Sequence, residues 1–165
     1  GFALIASIWS GSVARKALRL SQKQYDDKLP DFDIYFVQGF RFLVKDESAL
    51  RRLLLFQITI RNKSEFRNTL KAELEMEYLR DNDSFSKILL DHNPKFASFI
   101  RREDFSIFPV DIEIEAKATV TRWLLFEQPS YISKSHRIEK YGMRLIDLNG
   151  NQKISESVLI KDVEE

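Results

Sequence analysis

Residues 71–79 read KAELEMEYL, and whether these nine residues form a helix or a strand decides the fold. Composition favours a helix, because Ala, Leu, Met and Glu are all good helix formers. Order favours a strand. Ala72, Leu74, Met76 and Tyr78 take every second position, and Lys71, Glu73, Glu75 and Glu77 fill the gaps. On a 3.6-residue period the apolar side chains would scatter around a cylinder. On a period of two they make one dry face and one wet face. We read the segment as a strand.

The same period extends outward on both sides. Upstream, residues 52–62 place Leu54, Phe56, Ile58 and Ile60 on one face, while the other begins with Leu53 and Leu55 and ends with Gln57, Thr59 and Arg61. A strand apolar on both faces belongs in a sheet interior. Residues 33–44 are rich in aromatic and β-branched side chains and read as one or two strands broken near Gly39. Downstream, residues 88–90 suggest a short strand. Residues 108–118 alternate, with Asp111, Glu113 and Glu115 on the wet face, and Pro109 sits near the start, where a missing donor is tolerated. Residues 120–126 are apolar. Asn149-Gly150 between two alternating runs, 138–147 and 153–160, is a hairpin signal, because both central residues of a type I′ turn need positive φ. The final KDVEE is expected to fray. About seven to nine strands with no helix between them predict a mainly β fold, an antiparallel β-sandwich over residues 30–165.

Residues 1–29 differ. Residues 1–13, GFALIASIWSGSV, are apolar, and the charges that follow are basic only: Arg15, Lys16, Arg19 and Lys23 precede the first acid, Asp26. Spanning a bilayer takes about 20 apolar residues, so the run reads as the end of a transmembrane helix with residues missing before Gly1. An ordinary helix packed on the β domain and the end of a signal peptide are the alternatives. Lys and Arg beside a membrane segment favour the cytoplasmic side, which predicts a cytoplasmic β domain. Residues 12–29 read as a helical stalk ended by Pro30, which excludes helical geometry at the residue before it. Trp9 suits a membrane interface.

RKALRLSQKQY, then a proline, then aromatic-rich strands, is similar to a diffuse group of bacterial single-pass membrane proteins that carry a helical stalk and a β domain and mostly have no assigned function. The segment WLLFEQP and the terminal hairpin YGMRLIDLNGNQKISESVLI resemble immunoglobulin-like accessory domains. The resemblance implies an immunoglobulin-like fold and a membrane anchor, and it brings no catalytic residues.

The chemical motifs are weak. With 165 residues, a net charge of +1 and 44% hydrophobic residues, the chain has enough for one core and lacks the basic excess of a nucleic-acid binder. It has no Cys, hence no disulfide and no thiolate chemistry. Its five glycines form no phosphate loop. Asp147, Asn149 and Asn151 have the spacing of a calcium loop, but the twelfth position is Val158. His92 and His136 lie in polar, turn-like contexts and read as solvated. Arg101 and Arg102 among Phe96, Phe99 and Phe105 suggest a core beside a charged turn more than a stacking surface for bases. Trp123 reads as core. Asn62 and Asn82 each open a glycosylation pattern. Neither cofactor nor metal is expected.

These features predict a membrane-tethered module that is not an enzyme and binds an unknown protein partner. The acidic strand faces, Glu73, Glu75 and Glu77 with Asp111, Glu113 and Glu115, are the candidate surface. An extracytoplasmic carbohydrate-binding or hydrolytic domain, with acids and aromatics lining a cleft, is the alternative.

Overall fold

The computed structural model describes residues 14–21, 31–45, 49–100, 105–132, 136–157 and 160–163. Two compact units divide at Pro30, Gly1–Pro30 and Asp31–Glu165. In the first, residues 14–21 are helical and exposed and carry Arg15, Lys16 and Arg19. The apolar run 1–13, Lys23 with the rest of the expected stalk, and Arg101 and Arg102 lie outside the described residues. No described helix is long and apolar enough to cross a membrane.

The second unit is mainly β: two sheets, antiparallel but for one pair, face each other across a shared core. One sheet has the order β6-β2-β1-β9, with β1 Phe32–Lys45, β2 Leu50–Asn62, β6 Thr119–Gln128 and β9 Lys161–Val163. The other has the order β4-β3-β7-β8, with β3 Asn68–Leu79, β4 Phe85–Asp91, β7 Ile138–Asp147 and β8 Gln152–Ser157. The short β5, Ile112–Ile114, pairs with the start of β3. Among the described strands β9 alone runs parallel to its neighbour, β1.

The strand over residues 71–79 is present as β3, between β4 and β7, with Ala72, Leu74, Met76 and Tyr78 buried. They meet Leu54, Phe56, Ile58, Ile60, Leu124 and Phe126 from the opposite sheet. Burying an aliphatic or aromatic side chain of this size contributes about 1.5–3 kcal/mol, so this layer dominates the stability. β2 is an interior strand, and its other face is dry too. Leu53 and Leu55 join Phe42, Trp123 and Leu125 in a second cluster, covered by Phe96, Phe99 and Phe105. That cover includes a 3-10 helix, Pro94–Phe99, capped by the Asn93 side chain accepting from Lys95 N–H.

β1 is one unbroken strand, and Gly39 does not interrupt it. The register to β2 slips between Phe36 and Gln38, a β-bulge. Before the bulge Phe32, Ile34 and Phe36 face the inter-sheet core; after it Phe40, Phe42 and Val44 face the second cluster. One extra residue flips the strand's facing, since side chains alternate with a strict period of two. Gly39 is needed for space: a Cβ there would lie 2.8 Å from Ile160 Cγ2 and 3.0 Å from the Phe56 ring.

Several expected elements differ. The alternation over residues 108–118 is strand only at Ile112–Ile114, because Pro109 lacks a donor and Lys117 adopts φ 58° in a turn. The 138–147/153–160 hairpin forms, but its turn is not type I′. Among its residues only Gly150 has positive φ, 82°, and Asp147 Oδ1 accepts from the Asn149 and Asn151 N–H groups. The last strand splits into β8 and β9, and Lys161–Val163, expected to fray, pairs with Phe40–Phe42.

Strand directions define two poles. Asp31, the 62–68 connection and the β7–β8 turn gather at one. The start of β2, the ends of β3 and β6, and the start of β7 gather at the other.

Candidate functional site

At the pole away from Asp31, a cleft of about 570 Å³ opens between the start of β2 and the end of β6. Leu50, Arg51, Arg52, Glu127, Gln128, Pro129 and Tyr131 line most of it. Its size lies in the range of about 300–1,000 Å³ usual for ligand sites. Arg52 and Gln128 are cross-strand partners. They continue the inward rows Leu54-Phe56-Ile58 and Leu124-Phe126, so two polar side chains cap two apolar rows where the sheets part. Both donate to the same carbonyl, Ile132 C=O, from Arg52 Nη1 and Gln128 Nε2, each at 2.8 Å. A turn closed by Ile132 N–H donating to Pro129 C=O presents that carbonyl.

Two other polar atoms of this pair are buried and unmatched. Gln128 is 5% exposed, and its Oε1 is buried without a hydrogen-bond partner, as is Arg52 Nε. Leaving such a group unsatisfied costs about 1–3 kcal/mol. Arg41 and Arg144 also bury an unbonded Nε, yet Arg41 lies 3.3 Å from Asp162 and Arg144 3.0 Å from Glu75. Arg52 makes no carboxylate contact among the described residues. Its neighbour Arg51 does, with Glu127 at 3.0 Å, and stacks over Phe99. The outer wall is apolar and wet: Tyr131 is 64% exposed and Leu50 57%. Tyr131 also borders a shallower cleft with Tyr78, Arg80, Asp81, Asn82 and His136.

The two acidic runs do share one sheet. Glu73, Glu75 and Glu77 lie on β3, Glu113 lies on β5 beside Thr69, and Asp111 and Glu115 flank β5. Most of these acids are neutralised by cross-strand bases. Arg144 meets Glu75 at 3.0 Å and Glu73 at 3.6 Å; Lys87 meets Glu75 at 3.0 Å and Glu77 at 3.3 Å. Arg67 holds Glu113 at 3.1 Å and Glu115 at 2.8 Å. The Lys87 hydrogen bond, opposed in part by burial, holds the Glu75 carboxyl below its usual range, and that same bond raises Lys87. The face is a lattice of compensated charge and not an acidic patch. Arg15, Lys16 and Arg19 lie together on the separate helical segment.

The histidines correct the sequence reading. His92 is buried and no solvated loop residue: Leu125 N–H donates to its Nδ1 at 3.0 Å, and Nε2–H donates to Phe108 C=O at 2.8 Å. Burial, partly offset by these backbone contacts, lowers its pKa and keeps the ring neutral. His92 backbone N–H reaches Ala72 C=O on β3, so the residue fastens one sheet to the other. His136 packs edge-on against Tyr78, 4.0 Å from Asp81. Asn62 is buried and fully used, with Nδ2 donating to the carbonyls of Phe66, Ile114 and Glu115 and Oδ1 accepting from Ser64 N–H. Among the described residues no three His or acidic side chains gather as metal ligands.

Sequence reasoning passed over Arg52 and Gln128. The available signal was parity: each is a polar residue on the apolar face of its strand, at the strand's end.

No protein-family model matches the chain, and comparison with curated proteins finds no match. Among solved structures, the alkylpurine DNA glycosylase AlkC of Pseudomonas fluorescens, bound to DNA with an abasic-site analogue, is similar over 76% of this chain and 29% of its own, with 8% identity and a TM-score of 0.44. The sporulation control protein Spo0M of Bacillus subtilis is similar over 81% of this chain and 49% of its own, with 9% identity and a TM-score of 0.38. The chain thus spans under a third of the glycosylase and about half of Spo0M. Likeness at this level carries no argument about function.

Proposed function

We propose that this chain is a membrane-tethered, non-enzymatic β-sandwich module of immunoglobulin-like type that binds a protein partner. On this reading it resembles the bacterial single-pass proteins with a stalk and an immunoglobulin-like domain, and its globular part faces the cytoplasm. One observation carries the binding role: a cleft of about 570 Å³ walled by exposed Leu50 and Tyr131 and lined by Arg52, which meets no carboxylate among the described residues. The cleft lies at the pole of the β unit opposite Asp31. The basic-only helix, with Arg15, Lys16 and Arg19 exposed, suits anionic headgroups.

Two measurements test the reading. Fractionation of the full-length gene product, with a reporter after Glu165, should put it in the membrane with the reporter active in the cytoplasm. A soluble product, or a reporter active outside, refutes the tether. A photo-cross-linking residue at Tyr131 should give one discrete protein adduct in cells, and the same residue at Lys71 on the far sheet should give none. Equal adducts from both positions refute the cleft as the binding surface.

A further inference from the structure

We infer that the open edge of β4 pairs with the β4 edge of a second copy of this chain, antiparallel about Leu89. The surface shares no residue with the cleft and does not depend on it. β4 ends its sheet and pairs with one strand, β3, among the described residues. His92 N–H donates to Ala72 C=O, so even-numbered positions here turn their backbone groups toward β3. Backbone directions alternate along an antiparallel strand. The N–H and C=O groups of Lys87, Leu89 and Asp91 therefore point out of the sheet. Such a row is a template for another strand. The side chains select which strand. On the wet face Lys87, Leu89 and Asp91 are all exposed, Leu89 by 52%. Asp91 stands opposite Glu73 on β3, a like-charge pair, and meets no base among the described residues. It calls for a cation on its open side. Two copies paired with Leu89 opposite Leu89 set Lys87 of each opposite Asp91 of the other. Lys87 holds Glu75 and Glu77 on its inner side, and an ammonium has a third donor to give. On the dry face the same register sets Ile88 opposite Leu90 of the other copy, both half-buried at the margin of the inter-sheet core. A register centred on Ile88 instead puts Asp91 against the Phe85 ring, and one centred on Lys87 puts the two lysines together. Charge thus favours the Leu89 register, in which the edge is its own complement.

The test follows self-association of the full chain by sedimentation equilibrium. So short a ladder buries well under the roughly 1,200 Å² of a standard interface, which predicts a dissociation constant of about 10–100 μM. Asp91→Lys turns both ion pairs into repulsions and should weaken association about tenfold or more. The same change removes the like-charge pair with Glu73, so the domain should melt no lower than the parent, which separates lost pairing from lost folding. Leu89→Pro deletes an N–H that β3 does not use and should leave a folded monomer. The chain has no cysteine, so Leu89→Cys reports the register directly. Cα atoms of a hydrogen-bonded cross-strand pair lie about 5.5 Å apart, within disulfide reach. Mild oxidation of Leu89→Cys should give a covalent dimer, and Phe85→Cys, whose two copies lie far apart in this register, should give none. A chain that stays monomeric well above those concentrations overturns the inference. So does a dimer unchanged by Asp91→Lys or by Leu89→Pro, no disulfide from Leu89→Cys, or an equal yield from Phe85→Cys. A photo-cross-linking residue at Leu89 that captures a different protein while the chain stays monomeric overturns the second copy as the occupant.

Discussion

His92 offers the sharpest test of how the two sheets are joined. Replacing it with Ala removes the acceptor for Leu125 N–H and the donor for Phe108 C=O, both buried. Each orphaned group costs about 1–3 kcal/mol, and the ring also packs edge-on against Phe126 with centroids 5.9 Å apart. The expected loss is about 3–5 kcal/mol, a large share of the roughly 5–15 kcal/mol typical of a domain. Protonation probes the same contact more gently. Burial lowers the folded-state pKa of His92, so below pH about 6.5 the unfolded chain binds more protons than the folded one. The contribution of His92 is therefore complete above that pH. It declines by up to about 1.4 kcal/mol per pH unit as pH falls toward the folded-state value. The assay is urea unfolding of the wild type and His92→Gln, which cannot titrate there, at pH 7.5 and 5.5. The stability gap between them should narrow at the lower pH. A gap that stays constant or widens, or a cost below about 1 kcal/mol for His92→Ala, refutes the fastening role.

Asn62→Asp turns a donor to three carbonyls into a carboxylate pressed against them, and should cost about 3 kcal/mol or more in chemical denaturation, with partial recovery at acid pH. Gly39→Ala drives a methyl into Ile160 and Phe56; a loss of about 1–3 kcal/mol should appear as a lower melting temperature. Glu75→Gln breaks the shared contacts to Arg144 and Lys87 and should cost about 1 kcal/mol near neutral pH. Because the Glu75 pKa is depressed, that difference should be full above about pH 4.5 and shrink as pH falls from there through the lower folded-state value, as paired melts across pH will report.

Strand content was legible where alternation was uninterrupted. β3 and β2 follow from their periods, and the interior place of β2 follows from its two apolar faces. β1 was legible as apolar but not in its facing, since a bulge at residue 37 reverses parity without changing composition. β9 was invisible, because three exposed or half-buried residues are too few to show a period. The acids of the predicted surface were correctly placed on wet positions. Their neutralisation was not legible, because Arg144 lies 69 residues from Glu75 and meets it only through strand order. Arg52 and Gln128 look like ordinary strand-end polar residues until the register sets them opposite each other at the mouth of the core.

The opposed poles carry a mechanical consequence. A load applied at the cleft enters at the end of β6 and leaves through Asp31 at the start of β1. Between those points lie the β6–β2 and β2–β1 ladders, pulled along the strands from opposite ends. Such a pull shears the ladders, straining many hydrogen bonds together instead of peeling them one at a time. Forced unfolding is governed by the height of the unfolding barrier, and shear sets that barrier by the whole length of β2. A partner gripping the cleft would thus load both ladders in shear.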